Sequence, residues 1–127
     1  MAVEKVIIVG GGNAGMQAID SLRRNGFTGT IDLFCAEQHL PYQRPPLSKK
    51  YLEGALTTER LFLRPAKFYE TKQVNLHMGV TVAAISRADK IVTTTDGDEY
   101  SYDKLVLATG ARVRELPGMD ESMGLLY

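Results

Sequence analysis

Tryptophan is absent from this 127-residue chain and cysteine occurs once, at Cys35. A single cysteine excludes an intrachain disulfide and any zinc site built on a thiolate cluster. Set in an apolar stretch, Cys35 reads as a packed strand residue rather than a redox centre. Net charge is missing too: 15 Lys and Arg balance 15 Asp and Glu, which gives no basic surface for a nucleic-acid partner. The apolar run near the start, Val6 to Val9, falls far short of a membrane span, and no secretory cleavage pattern goes with it. The expectation is a cytoplasmic protein of one domain, with any chemistry borrowed from a cofactor.

What the chain does have is glycine at ordered positions. Val3 to Val9 is a β-branched run that ends abruptly in Gly10-Gly11-Gly12-Asn13-Ala14-Gly15, after which Ala14, Ala18, Ile19 and Leu22 recur at helical spacing. Arg23, Arg24, Asn25 and Gly26 supply a cationic last turn and a stop, so a helix is predicted over 13–25. A second strand is predicted over Thr30 to Cys35, with Ala36 and Glu37 at its carboxyl end. This is the order of a dinucleotide-binding βαβ unit. Gly10 permits the tight turn, Gly12 leaves no Cβ between backbone and pyrophosphate, and Gly15 lets the helix lie close to the strands. Unpaired N–H groups of the first helical turn face the phosphates. Glu37, 22 residues beyond Gly15, stands where an acid accepts hydrogen bonds from ribose hydroxyls and repels a 2′-phosphate. On these residues NAD and the adenosine half of FAD are equally possible, and NADP is disfavoured.

Residues 38–50 form a loop stiffened by Pro41, Pro45 and Pro46 and carrying Arg44 and Lys49; a short helical stretch is expected after it, with Ser48 as N-cap and Gly54 as stop. Pro65 opens a further short helix that packs Phe68 and Tyr69. From Val74 the pattern alternates through Val82, Ile85 and Ile91 to Tyr100 and Tyr102, with Asp96-Gly97 as a hairpin turn, which predicts strands that partly pair as an antiparallel meander. His77 falls on the polar side of that alternation and His39 has no companion at metal-ligand spacing, so no metal is assigned. Leu105-Val106-Leu107 reads as a buried strand ending in Ala108-Thr109-Gly110, small residues past which a backbone or a cofactor can run.

Four segments together carry a resemblance: Val-Ile-Ile-Val-Gly-Gly-Gly-Asn-Ala-Gly at 6–15, Leu-Pro-Tyr-Gln-Arg-Pro-Pro-Leu-Ser-Lys at 40–49, Gly-Val-Thr-Val at 79–82 and Leu-Val-Leu-Ala-Thr-Gly-Ala at 105–111. The chain resembles the start of the FAD-dependent pyridine nucleotide-disulfide oxidoreductase superfamily, and within it the ferredoxin reductases of the putidaredoxin reductase type. Thiol-active members carry a redox cysteine pair near the second segment, and this chain has none. The resemblance implies an α/β fold, a Rossmann-like FAD-binding core with a parallel sheet and a small antiparallel meander. It implies FAD as the bound dinucleotide, with Gly10, Gly12, Asn13, Ala14 and Gly15 at the pyrophosphate, Glu37 at the adenosine ribose and the Val82 backbone at the adenine. Arg44 and Lys49 would lie at the phosphate and isoalloxazine, and Ala108, Thr109 and Gly110 would close over the cofactor. Lys49, beside the flavin ring, is the nearest to a catalytic residue.

Members of that family are longer and hold a second glycine-rich unit for NAD(P)H. The resemblance therefore implies that residues 1–110 are the first segment of an FAD-binding domain and 111–127 the start of a linker, in a fragment or in a subunit completed by another chain. The parent reaction would pass hydride from NAD(P)H to FAD and then single electrons to a ferredoxin-type iron–sulfur protein. A non-catalytic, NAD-sensing Rossmann module is the alternative; it would need Glu37 and the glycine turn but have no use for Arg44 and Lys49.

Overall fold

The structure, a computed structural model, describes residues 2–119, 122 and 124. Two sheets divide the work. Strand β1 (Lys5–Val9) lies at the heart of a four-stranded parallel sheet between β2 (Thr30–Cys35) and β7 (Lys104–Leu107), with β3 (Val74–Met78) beyond β2. The other strands, β4 (Val82–Ser86), β5 (Ile91–Thr94) and β6 (Glu99–Ser101), pair antiparallel as the predicted meander, with Gly97 at a φ of +89° in the turn between β5 and β6.

Because side chains alternate along a strand, β1 and β2 feed two cores. Val6, Ile8, Ile31, Leu33 and Cys35 face helix α1 (Asn13–Arg24), where Ile19 meets them together with Tyr69 of helix α2 (Ala66–Thr71). Ile7, Val9 and Phe34 face the meander and pack on Val92. Ile7, Ile8, Ile31 and Leu33 are fully enclosed, and each such side chain contributes about 1.5–3 kcal/mol relative to exposure. This burial on both faces is the physical reason the strands read as unbroken apolar runs.

Helix α1 ends one residue short of the predicted span, with Asn25 as its C-cap. The cationic last turn does more than complement the helix dipole: the Arg23 guanidinium donates to the carbonyls of Phe27, Gly29 and Lys72 at 2.8 Å and of Gln73 at 3.0 Å. It thus locks the end of α1 to the turn ahead of β3.

Three sequence expectations are corrected. Ser48 is not an N-cap: it is the last residue of a 3-10 turn, Pro45–Ser48, which starts at the prolines because their fixed φ suits a tight first turn. Only turns follow it to residue 54, and a second 3-10 turn at Thr58–Arg60 had no clear sequence signal. The Leu105–Leu107 strand is not buried. Strand β7 is the edge of the described sheet, so Leu105 and Val106 are covered on one side while Leu107 is 60% exposed. His77 lies on a polar position of β3, as expected, yet it is half-buried rather than fully at the surface: its ring stacks on Phe34 with centroids 4.3 Å apart. Residues 111–117 carry no helix or strand; of the linker expectation, residues 120, 121, 123 and 125–127 lie outside the described residues.

Candidate functional site

The site forms at the carboxyl ends of β1, β2 and β7, the edge at which ligands bind in open parallel sheets. Both ladders continue past β1 to hold the glycine turn. The Gly10 N–H donates to the Phe34 carbonyl at 2.9 Å, and the Ala108 N–H donates to the Val9 carbonyl at 2.8 Å. Gly10 has a φ of +120°, and a Cβ there would stand 2.0 Å from the Ala108 carbonyl oxygen. Glycine is required here both by conformation and by the passing strand. A Cβ on Gly15 would likewise meet the Gly10 carbonyl oxygen at 2.0 Å, so this residue sets how closely α1 approaches the turn.

Gly12 differs from both. A Cβ there would meet nothing within 4 Å, so neither its φ of −100° nor protein packing demands glycine. The space it leaves opens on a cavity of about 450 Å³ lined by Gly10 to Ala14, Arg44 and Ala108 to Ala111. No side chain caps α1, and its first hydrogen bond runs from the Met16 N–H to the Gly12 carbonyl at 3.1 Å. Amides ahead of that bond have no intrahelical acceptor, and Gly12, Asn13 and Ala14 carry them along the cavity wall. A backbone cradle with an open Cβ position at a helix start fits a diphosphate group.

A smaller cavity of about 110 Å³ shares Gly10, Gly11, Arg44 and Thr109 with the first and adds Cys35, Ala36, Glu37, His39 and Tyr42. Both Glu37 oxygens are engaged there. One accepts from the Tyr42 hydroxyl at 2.7 Å and the other from the Arg44 guanidinium at 3.1 Å, and the guanidinium also lies over the Tyr42 ring, 5.3 Å from its centroid. The hydrogen bond to Glu37, followed by burial and the Glu37 charge, raises the Tyr42 phenol above its ordinary pKa. Cys35 lies beneath Gly11, and burial, aided by the Glu37 charge, pushes its thiol up to about 11. It is a packing residue, as its strand context suggested.

Of the residues singled out in the sequence, Gly10, Gly12, Asn13, Ala14, Arg44, Ala108, Thr109 and Gly110 thus line one cavity, and Glu37 lines the next. Gly15, Lys49 and Val82 line neither. Gly15 packs inward; the Lys49 ammonium rests on its own turn, 3.3 Å from the Pro45 carbonyl and the Ser48 hydroxyl; Val82 packs against the core under the meander. Among the described residues no group of three His, Cys, Asp or Glu is arranged to hold a metal ion, and no helix is long and apolar enough to cross a membrane.

Sequence reasoning assigned no role to Tyr42 or Asp32. Tyr42 was visible as the residue two before Arg44, but its partnership with Glu37 depends on how the loop folds back. Asp32, in the middle of β2, is 4% exposed and accepts from His77 at 2.7 Å and Asn75 at 3.3 Å, with the Lys5 ammonium 3.5 Å away. No local signal marks it, since His77 lies 45 residues further along the chain.

Residues 4–126 match the model of the pyridine nucleotide-disulphide oxidoreductase family. The chain belongs to this family. Among its relatives in the family, the protein named probable ferredoxin reductase CtmF of Castellaniella defragrans is 51% identical over 120 residues, covering 93% of this chain and 29% of that protein. Rhodocoxin reductase of Rhodococcus erythropolis is 46% identical over 112 residues, 88% of this chain and 26% of the relative. In the crystal structure of the covalent putidaredoxin reductase–putidaredoxin complex, a chain 43% identical superposes with a TM-score of 0.88, over 92% of this chain and 28% of that one. The chain thus spans under a third of the length of these family members, and the α/β fold with its parallel sheet and separate meander is theirs.

Proposed function

We propose that this chain is the FAD-holding N-terminal portion of an NAD(P)H:ferredoxin reductase. One observation carries the reading: the Cβ position of Gly12 is empty in a cradle of helix-start amides whose far wall is Ala108 to Gly110 and whose end is an acid, Glu37. That arrangement suits an adenosine diphosphate with a further group extending from it. Reductase names among the relatives support FAD over NAD as the dinucleotide.

In this reading Gly10, Gly12, Asn13, Ala14 and Gly15 bind or frame the pyrophosphate, Glu37 accepts from the ribose hydroxyls, and the Val82 backbone meets the adenine. Arg44 supplies a cation to the phosphates. Thr109 and its small neighbours Ala108 and Gly110 form the wall along which the cofactor extends. Lys49, on the turn that follows the prolines, would have to leave its own turn to approach the ring, where its positive charge would favour negative charge on the flavin. The chemistry that bound FAD would supply is that of a hydride acceptor towards NAD(P)H and a single-electron donor towards a ferredoxin-type iron–sulfur partner. Residues 1–110 are the first segment of the FAD domain and 111–127 the start of a linker, in a cytoplasmic enzyme.

Titration of the purified chain with FAD and separately with NAD tests this. Saturable FAD binding with weaker NAD binding is expected. NAD binding with indifference to FAD would instead identify a nucleotide-sensing module.

A further inference from the structure

We propose that Arg44 is an exchangeable counter-ion, paired with Glu37 while the site is free and transferred to a dinucleotide phosphate on binding, and that Tyr42 stays behind as the positioning residue of Glu37. The proposal rests on the reading that the two cavities take the adenosine diphosphate part of a dinucleotide.

Each Glu37 oxygen already accepts one hydrogen bond, from the Tyr42 hydroxyl and from the Arg44 guanidinium, so a ribose reaching this carboxylate competes with two donors for its remaining lone pairs. Of the two, Arg44 is the one free to leave, because they are tethered very differently. Tyr42 sits on a clamped backbone: the Gln43 N–H donates to the Leu61 carbonyl and the Leu63 N–H to the Pro41 carbonyl, both at 2.8 Å, around a Tyr42–Phe62 bridge. Its short, strong hydrogen bond to a carboxylate is of the charge-assisted kind. The phenol's raised pKa keeps it protonated and donating throughout the neutral range.

Arg44 is held by much less. Its side chain is 64% exposed, and its hydrogen bond to Glu37 is single and 3.1 Å long. Solvent-exposed ion pairs of that kind are weak. Arg44 is also one of only four residues common to both cavities, and the one with a mobile charge; Gly10, Gly11 and Thr109 are the others. From the wall it shares, a rotation about its side-chain bonds carries the guanidinium from the carboxylate to the space in front of Gly12. A phosphate offers it a stronger, two-pronged partner than Glu37 does.

The exchange has two consequences. In the free chain Arg44 neutralises the acid at the mouth of a site that must admit a diphosphate, so Glu37 does not repel it. In the bound state Arg44 vacates one Glu37 oxygen as it neutralises a phosphate, which couples ribose recognition to phosphate recognition. Adenosine, with no phosphate, competes with Arg44 for Glu37 without offering it a new partner.

The test is a comparison of FAD, ADP, adenosine and 2′-deoxyadenosine binding to the full chain and to its Arg44→Ala, Arg44→Lys and Tyr42→Phe variants by calorimetric titration. Arg44→Ala is expected to weaken FAD and ADP by about tenfold or more while adenosine holds or gains, and Arg44→Lys is expected to restore part of the ADP affinity. Tyr42→Phe is expected to weaken all of these adenine ligands together by about threefold to tenfold and to narrow the preference for adenosine over 2′-deoxyadenosine. Equal losses of adenosine and ADP in Arg44→Ala would overturn the exchange, as would an unchanged 2′-hydroxyl preference in Tyr42→Phe. If the unaltered chain bound none of the four ligands, the flavin reading itself would fall and take the exchange with it; FAD binding with the wrong Arg44→Ala pattern would overturn the exchange alone.

Discussion

Between Gly10 and Ala14 the site is main chain, tied on both sides to parallel strands of the sheet, whereas between Glu37 and Arg44 it is half-exposed side chains on a proline-stiffened loop. The first region cannot change without the sheet changing, since Gly10 is pressed against the Ala108 carbonyl and Gly11 lies over Cys35. In the second, Arg44 can move at little cost, because its one hydrogen bond to Glu37 is exposed to solvent. In the proposed reading the rigid cradle would hold what all dinucleotides share, and the adjustable rim would tune affinity and choice of ligand.

That contrast can be broken by mutation, and the largest effect belongs to the cradle. Gly10→Val puts a branched side chain into a positive-φ position and against the Ala108 carbonyl. We expect a loss of about 3 kcal/mol or more, read as a collapse of the cooperative transition in urea. A wild-type transition would mean that the turn and β7 are not in contact.

Next comes the charged patch around Asp32 inside the sheet. Asp32→Ala leaves His77, Asn75 and Lys5 without their shared acceptor, which should cost about 2 kcal/mol. FAD affinity should not move, because Asp32 sits mid-strand and lines neither cavity at the carboxyl ends. A change in affinity without a change in stability would assign Asp32 to the site.

Gly12→Ala and Arg44→Ala should each alter stability by less than about 0.5 kcal/mol, for opposite reasons: the first adds a methyl where there is room, the second removes an exposed, weak pair. On ligand binding they stop being silent, Gly12→Ala losing FAD affinity by about tenfold or more. The smallest effect is a chemical one. With its thiol pushed up to about 11, Cys35 is thiolate in only about one molecule in a thousand at pH 8, so native chain should resist iodoacetamide and label only in urea. Rapid labelling of the native chain would show that Gly11 does not cover it.

The two regions were also unequally legible in the sequence. The cradle is spelled by residues that are local in the chain: a β-branched run, glycines at fixed steps, a helical period and then an acid. Each acts on the backbone directly, so the βαβ unit and its orientation follow from patterning. The loop after β2 is different. Its prolines announced stiffness, but the return of Pro41 to Gln43 onto residues 61–63 is a pairing across some twenty residues with no periodic signature. Glu37 and Arg44 were both marked as site residues, and only the folded loop shows that they hold each other. Asp32 carries no local signal because its partners come from β1 and β3, and the exposure of Leu107 is not written in its sequence because apolar content does not distinguish a central strand from an edge.

The most direct test of the account is to titrate FAD into the chain and into Gly12→Ala side by side, following flavin fluorescence, with thermal unfolding of both as the control. Saturable binding to the chain, at least about tenfold weaker binding to Gly12→Ala, and superimposable unfolding curves are expected. Equal FAD affinity in the two proteins would contradict the account, because the open space at Gly12 would then not be where the pyrophosphate lies.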